Sequence, residues 1–457
     1  MPELCRSPLL CWVPGLLAVT VGLSPACYAQ RQFQVGVGTH VGTGAYPLPP
    51  TLTAIDALGV SVRDDVRWGG IETSPGKLEY KTSPNNMETL LNDVLKRGQR
   101  PVIVLPGGNK LYDGGGQITS TEGIAAFARY AGFVASKVAG SPKQIEVWNE
   151  WDHGSGATAA QAATKGDPVA YANLLHGAYN AIKAQNHNNV VIGGALASVD
   201  TAWVEKFAQA GGLKYLDAFS VHPYVHCNGP HAPLAPSNLK LSGFTGSHTR
   251  GDIVRVASAA GAIKPIGGTP EQSIALLDTL KALLDQFAPG RDIPVYVTEM
   301  GWPTSSGQCG VEDSVAAAYL QRFMLLAAAR PYIAGVWWYD LFDDGNDPSN
   351  REHRFGISQH NYQPKPAYTA LLALKDILNS NKTPVATVGA DGEIVVSGQL
   401  SSGKSFYAAW LPTNNFSDST AWTQGSKLAS SGFRQAAAAA ASASTTVNAI
   451  PTVLVQQ

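Results

Sequence analysis

Two short segments, residues 147–151 (VWNEW) and 295–302 (VYVTEMGW), each carry a run of strand-forming residues into a glutamate flanked by aromatics. The pattern puts Glu150 and Glu299 where a strand opens into a loop. Two carboxylates facing one bond are the minimum equipment for cleaving a glycosidic linkage, one protonating the leaving oxygen and the other attacking the anomeric carbon. Hydrolysis of a bond between sugars is therefore the chemistry this pair predicts. Taken singly, either glutamate could be a solvated charge at a strand end; the reading rests on the pair.

Bringing two distant carboxylates to one place is the task of the fold. Strand-like runs at 33–39, 60–66, 101–106, 144–149, 190–195, 218–222, 294–299 and 333–339 alternate with amphipathic helical patterns such as 86–97, 122–138, 171–184, 270–287, 314–329 and 366–378. Strands alternating with helices imply right-handed crossovers and a parallel sheet. Eight such units predict an α/β fold, a closed (β/α)8 TIM barrel, over residues 30–380. Glu150 then ends the fourth strand and Glu299 the seventh, both at the face where barrel enzymes build their sites. The Gly-, Pro- and Ser-rich stretch 226–268 is expected to form a wall of the cleft.

The chain has 457 residues, 44% of them hydrophobic, enough for a large core. Its 33 basic and 34 acidic residues nearly cancel, so nucleic acid and membrane surfaces are not expected partners and a neutral substrate fits best. Residues 1–29 read as an export signal, with an apolar stretch at 9–23 and the small-x-small pattern Cys27-Tyr28-Ala29. Pro8, Pro14 and Pro25 leave too short an apolar run for a membrane span. The expected location is periplasmic or extracellular. Outside the signal only Cys227 and Cys309 remain, and an even remainder in an exported chain predicts a disulfide.

Beyond about residue 380 the pattern changes to short β-like runs at 385–388, 393–398 and 405–411, separated by Asp391-Gly392 and Ser402-Gly403. This predicts a small antiparallel domain over 381–457, completed by 451–455, with 436–441 as a loop or linker.

With the barrel, the Asn149-Glu150 pair and the strand-end Glu299 together, the chain resembles the retaining glycoside hydrolases of clan A, most of all family 39 and its endoglycosidase-type relatives. Residues 62–68 (VRDDVRW), followed by Ile71-Glu72 and Gly76, are similar to the family's second strand. Residues 337–340 (WWYD), Asp343-Asp344-Gly345 and 352–356 (EHRFG) are similar to its eighth strand and closing loop. The resemblance implies Glu150 as general acid/base, Glu299 as nucleophile, Asn149 as partner of the sugar 2-hydroxyl, Arg63 as the cation that keeps Glu299 charged, and Tyr224 as a donor to Glu299. His222, at the same strand end as Tyr224, and His40 and Trp68 are taken as supporting or substrate-binding residues. Trp338 is expected to be the platform under the scissile sugar, with Trp337 in packing between barrel and helices, or the two with these roles exchanged.

His222, His226, His231 and Cys227 have metal-binding types, but they straddle a strand end and a loop, and no metal or cofactor is expected. Asp343, Asp344, Asn346 and Asp347 do not match a calcium loop and read as a solvated acidic segment. The Gly-rich stretches at 105–109 and 113–116 lack a following Gly-Lys-Ser/Thr, and there is no Gly-x-Ser-x-Gly elbow, so phosphate binding and esterase chemistry are unsupported. The expectation is a monomer acting on a polysaccharide or oligosaccharide. Aromatics near the strand ends (Trp68, Tyr112, Trp151, Tyr224, Trp302, Trp338) suggest an open stacking surface and endo cleavage. Two rivals stand beside it: an exo-acting β-xylosidase-like enzyme, and a non-catalytic carbohydrate-binding protein on the same scaffold.

Overall fold

The structure, a computed structural model, describes residues 33–80, 87–226, 268–307, 309–389, 392–435 and 446–457. Eight strands form a closed parallel barrel: β1 Gln34–Gly38, β2 Ser61–Asp65, β3 Val102–Leu105, β4 Gln144–Val147, β5 Val190–Leu196, β6 Ala218–Val221, β7 Val295–Val297 and β8 Ile333–Trp338. Each pairs with the next in sequence, and β8 closes on β1 through Gln34↔Gly335 to Val37↔Trp338. Among the described residues a principal helix follows each strand: α1 Leu48–Leu58, α2 Met87–Lys96, α3 Thr121–Lys137, α4 Pro168–Gln185, α5 Thr201–Gln209, α6 Pro270–Phe287, α7 Asp313–Ala328 and α8 Pro366–Ala373, with single turns at Trp68–Ile71 and Lys375–Leu378 besides. All eight expected strands are present. Two helices were not expected: α1, whose start is masked by Pro47, Pro49 and Pro50, and the nine-residue α5, which begins on the side-chain cap of Asp200.

Strand alternation sorts the barrel residues. Ile103, Leu105, Val147, Val295 and Val297 face outward into the main core with the helices, whereas Val102, Ile192, Ala218, Tyr296, Ala334 and Trp337 pack together inside the barrel. Gln144 of β4 bonds Gln34 of β1 at 3.0 Å and accepts from Tyr296 of β7 at 2.9 Å. None of these strands neighbours another in the sheet except through intermediates, so the bonds span the lumen.

After the barrel, a five-stranded antiparallel sheet runs in the order β9 Val385–Val388, β10 Ile394–Gln399, β11 Ser405–Trp410, then Thr452–Gln456 and Phe433–Gln435. The expected C-terminal return therefore enters the middle of the sheet. Ile394, Val396, Phe406, Ala408 and Trp410 belong to the same core as the barrel helices, while Val395, Ala409, Leu454, Trp422 and Val447 form a separate cluster on the other face. A helix, Thr423–Ser430, and a two-stranded pair, Ser419–Ala421 with Thr446–Asn448, complete this region and were not anticipated. The join is polar at one point. The fully buried Arg322 of α7 bonds Glu271 of α6 at 2.9 Å and the Thr413 carbonyl at 2.8 Å, and Trp410 donates its indole N–H to Glu271 at 2.9 Å.

The expected signal segment, Cys227, His231, the 227–267 part of the expected cleft wall and the whole of the 436–441 linker lie outside the described residues.

Candidate active site

Arg63 projects from β2 into the barrel mouth, where its three donor nitrogens each find one acceptor: Glu146 at 2.6 Å, Glu299 at 2.7 Å and Asn149 at 2.7 Å. This planar fork fixes three side chains at once. Burial works against the charge of Arg63, but the fields of Glu146 and Glu299 outweigh it and raise its pKa. Glu299, two residues beyond β7, is 9% exposed and takes a second hydrogen bond from the Tyr224 hydroxyl at 3.1 Å. Burial and the neighbouring Glu299 charge push the Tyr224 phenol well above its ordinary value, so it remains a donor. Arg63, Asn149, Tyr224 and Glu299 thus meet at one point of the barrel mouth.

Glu150 faces Glu299 across the mouth. The backbone reaches it through two left-handed non-glycine residues, Trp148 (φ 73°) and Glu150 itself (φ 51°). Such conformations cost about 1–3 kcal/mol each and persist where the surroundings over-determine them. Here Trp148 N–H is held by the Leu105 carbonyl, the Trp148 indole donates to the Ser155 carbonyl at 3.1 Å, and Ser155 N–H returns to the Glu150 carbonyl. His222 lies between the carboxylates, with Nδ1 2.9 Å from Glu150 and 3.6 Å from Glu299. Burial opposes charge on Glu150, yet the His222 hydrogen bond and field bring its pKa below the usual value; His222 is raised in turn, against its own burial, by Glu299 and Glu150. Oxygens of the two carboxylates and a His222 nitrogen all lie within 4.8 Å of one another.

The cleft that opens here has a volume of about 950 Å³ and runs from Glu299, Asn149 and Arg63 past Trp68–Thr73 and Pro106–Leu111 to His40 and Tyr339. His40 is held by the β1 loop, which Asp64 organises by accepting from Thr39, Val41 and Gly42. Burial pushes the Asp64 carboxyl up to about 7. His40 Nδ1 is 2.9 Å from Asp344; burial works against its charge, but that bond and the Asp340 field push it up to about 9.

Several expectations are corrected. Trp338 is 2% exposed and packs on Trp302 and Phe323, away from the cleft. Trp337 is inside the barrel, stacked on Tyr296, and not between barrel and helices. Side chains alternate, so the next inward residue after Trp337 is Tyr339, which lines the cleft. Trp68 is also buried, stacked between Tyr112 and Tyr130, with its indole bonded to Glu72 at 2.7 Å. Trp151 and Trp302 are buried as well, donating to the Asp167 and Gly268 carbonyls. The strand-end aromatics are therefore chiefly packing, with Tyr224 the exception. Asp343 is not solvated: it is fully buried, 2.6 Å from Lys365 and 3.3 Å from Arg354.

Glu146, Thr298, Tyr339 and Asp344 were not singled out as site residues. Charged Glu146 at an inward position of a buried strand was the readable signal. Among the described residues two groups have metal-like donors, Glu150/His222/Glu299 and His40/Asp340/Asp344. In the first the imidazole already bridges the carboxylates, and in the second His40 Nδ1 is engaged with Asp344 at 2.9 Å.

Compared with solved structures, the chain superposes on a family 39 glycoside hydrolase from the gut symbiont Bacteroides cellulosilyticus WH2 with a TM-score of 0.66, at 24% identity, covering 94% of this chain and 81% of that one. The likeness is one of fold, a (β/α)8 barrel followed by a β domain. A monomeric beta-xylosidase from Caulobacter crescentus CB15 has a TM-score of 0.54 at 17% identity, covering 83% of this chain and 74% of that one. Among curated sequences, a basic vacuolar glucan endo-1,3-beta-glucosidase of Nicotiana plumbaginifolia is 32% identical over 95 residues, and a putative glucan endo-1,3-beta-glucosidase of Hordeum vulgare is 27% identical over 89. These matches cover 20% and 19% of this chain, and the chain spans only about a quarter of the length of those relatives, 26% and 28%. No family model matches. In this chain's barrel Glu150 and Glu299 stand just beyond the fourth and seventh strands, at one mouth.

Proposed function

We propose that the protein is a retaining β-glycoside hydrolase acting on a polysaccharide or oligosaccharide. The observation that carries this is that one oxygen of Glu150 and one of Glu299 lie within 4.8 Å of each other at the barrel mouth, with Glu299 lining the cleft. Retaining enzymes place their carboxyl groups about 5–5.5 Å apart and inverting ones about 6.5–9.5 Å. Glu299, fixed by Arg63 and Tyr224, attacks the anomeric carbon, and Glu150 protonates the departing oxygen and later takes a proton from water. Asn149 gives its carbonyl to Arg63, which leaves its amide N–H groups for a sugar hydroxyl. Proton NMR of the first-formed product tests this: a β-anomer is expected, and an α-anomer at earliest times would sink the retaining mechanism.

We infer endo cleavage from the cleft. Its volume of about 950 Å³ lies near the upper end of ligand sites, about 300–1,000 Å³, and exceeds the need of one sugar ring. Viscosity of a polymeric substrate should fall before monosaccharide accumulates; the reverse order would favour the β-xylosidase-like reading. Tyr339 is assigned as the platform beneath the sugar. Tyr339→Ala should lower kcat/KM about tenfold, while Trp338→Phe should leave it nearly unchanged and lower stability instead; the opposite ranking would return the role to Trp338.

Export rests on the pattern of residues 1–29. A Cys227–Cys309 bridge fits this route, because the two residues follow β6 and β7, which are neighbours in the barrel. Two thiols titrating in the unreduced, denatured protein would exclude it.

A further inference from the structure

We propose that Thr298 and Glu146 are positioning residues that fix the His222 tautomer and so keep the acid's proton on the Glu150–His222 pair. The inference rests on the glycosidase reading above and extends it to residues that touch no substrate.

The argument is one of donors and acceptors. Glu146, fully buried at an inward position of β4, is ion-paired to Arg63 through Oε2 at 2.6 Å. Its Oε1 accepts the Thr298 hydroxyl at 2.7 Å. A hydroxyl has one hydrogen, so Thr298, having donated it to Glu146, can only accept from its other neighbour. That neighbour is His222 Nε2, at 3.2 Å. The hydrogen on His222 must then sit on Nε2, which turns Nδ1 toward Glu150 at 2.9 Å with either a lone pair or a second proton. Both cases place one proton between Nδ1 and Glu150, as a carboxylic acid facing imidazole or as imidazolium facing carboxylate. The tautomer with hydrogen on Nδ1 alone would leave Nε2 and the Thr298 oxygen as two acceptors face to face.

The proton accounting closes. In glycosylation a Glu299 oxygen bonds to the anomeric carbon, the bond to the leaving oxygen breaks, and that oxygen takes the proton of the pair, leaving ionised Glu150 beside neutral His222. In deglycosylation water adds to the anomeric carbon, its proton returns to the pair, and Glu299 departs as carboxylate. The groups facing His222 are Glu150 and Asp152 from the β4 end, Glu146 through Thr298, Glu299 from β7, Arg63 from β2, and Tyr224 from its own strand end; His153 acts on Glu150 and Asp152.

The test is Thr298→Val, which keeps the shape and removes the hydroxyl, with Thr298→Ser as the conservative control. Without an acceptor for Nε2–H the protonated pair loses support. The basic limb of kcat/KM should move to lower pH by roughly one unit, the equivalent of one lost hydrogen bond. Glycosides with poor leaving groups should lose at least tenfold more rate than those with good ones, and Thr298→Ser should restore both. A Thr298→Val enzyme with an unmoved limb and equal losses on all leaving groups would overturn the proposal. Nitrogen-15 NMR of histidine-labelled wild-type protein reads the tautomer without catalysis: hydrogen on Nε2 of neutral His222 is expected, and hydrogen on Nδ1 alone defeats the proposal. Should no glycoside be cleaved by the wild type, the hydrolase reading fails on its own and the NMR result still decides the tautomer.

Discussion

Replacing Glu299 with Gln is expected to lower glycoside hydrolysis by on the order of 10,000-fold or more while leaving the protein folded. The change removes the proposed nucleophile, and an amide cannot form the glycosyl ester through which a retaining reaction passes. The fold should tolerate it, because the amide oxygen can still accept from Arg63, which holds one carboxylate oxygen at 2.7 Å, while the NH2 takes the place of the other oxygen and can donate to the Tyr224 hydroxyl, 3.1 Å from it. Glu150→Gln should behave differently. It should slow aryl glycosides with poor leaving groups severely and those with good leaving groups far less, since the latter need little protonation. Rates measured with both variants on a leaving-group series check the two roles together. A Glu299→Gln enzyme within tenfold of wild type, or Glu150→Gln losses independent of the leaving group, would remove the assignment.

The second large effect is on stability. Arg322→Met should cost about 3–5 kcal/mol, because it strands the buried Glu271 carboxylate without its cation. Exposures of 0% for Arg322 and 3% for Glu271 leave no solvent to take over. Burial raises the Glu271 pKa, but the Arg322 field and hydrogen bonds bring it below the ordinary carboxylate value. The sign follows: a carboxyl whose folded pKa is depressed stabilises the protein above its unfolded pKa, and that contribution fades as pH falls through the folded one. Urea denaturation at neutral and acid pH checks both statements. The Arg322→Met deficit should be largest near pH 7 and shrink in acid; a deficit below about 1 kcal/mol would show that the pair is not the bolt between helices and C-terminal sheet. Glu271→Leu with Arg322→Met should recover part of the loss, limited by the Trp410 N–H and Thr413 carbonyl left behind.

The barrel and its two carboxylates were legible because both depend on local pattern: apolar strands bounded by turn residues, and glutamates at their ends. The second tier of the site was not. Tyr339 and Trp338 differ by one position, and which faces the cleft depends on strand parity, set by Trp337 packing inward on Tyr296. The tryptophans near the strand ends looked like sugar platforms because aromatic type does not reveal exposure. Trp68 is hidden by Glu72 and two stacked tyrosines, contacts that no spacing rule supplies. Asp343 and Asp344 adjoin in sequence, yet one is buried against Lys365 and the other meets His40 at the cleft. Helix α1 escaped notice because its prolines, which usually end helices, here begin one.

The hydrogen-bonded layers inside the barrel, Gln34–Gln144–Tyr296 below and Arg63–Glu146–Thr298–His222 above, bear on how this sequence can change. In most barrels the interior accepts one branched aliphatic residue for another. Here Gln144 pairs with Gln34 and Tyr296, and Glu146 with Arg63 and Thr298, across the lumen between non-adjacent strands, so a saturation library should read as a divided map: these inward polar positions intolerant of aliphatic replacement, and inward Val102 and Ile192, like the outward Ile103 and Val147, open to it. New sugar specificity would then have to come from the loops around the cleft, with the strands beneath them left untouched.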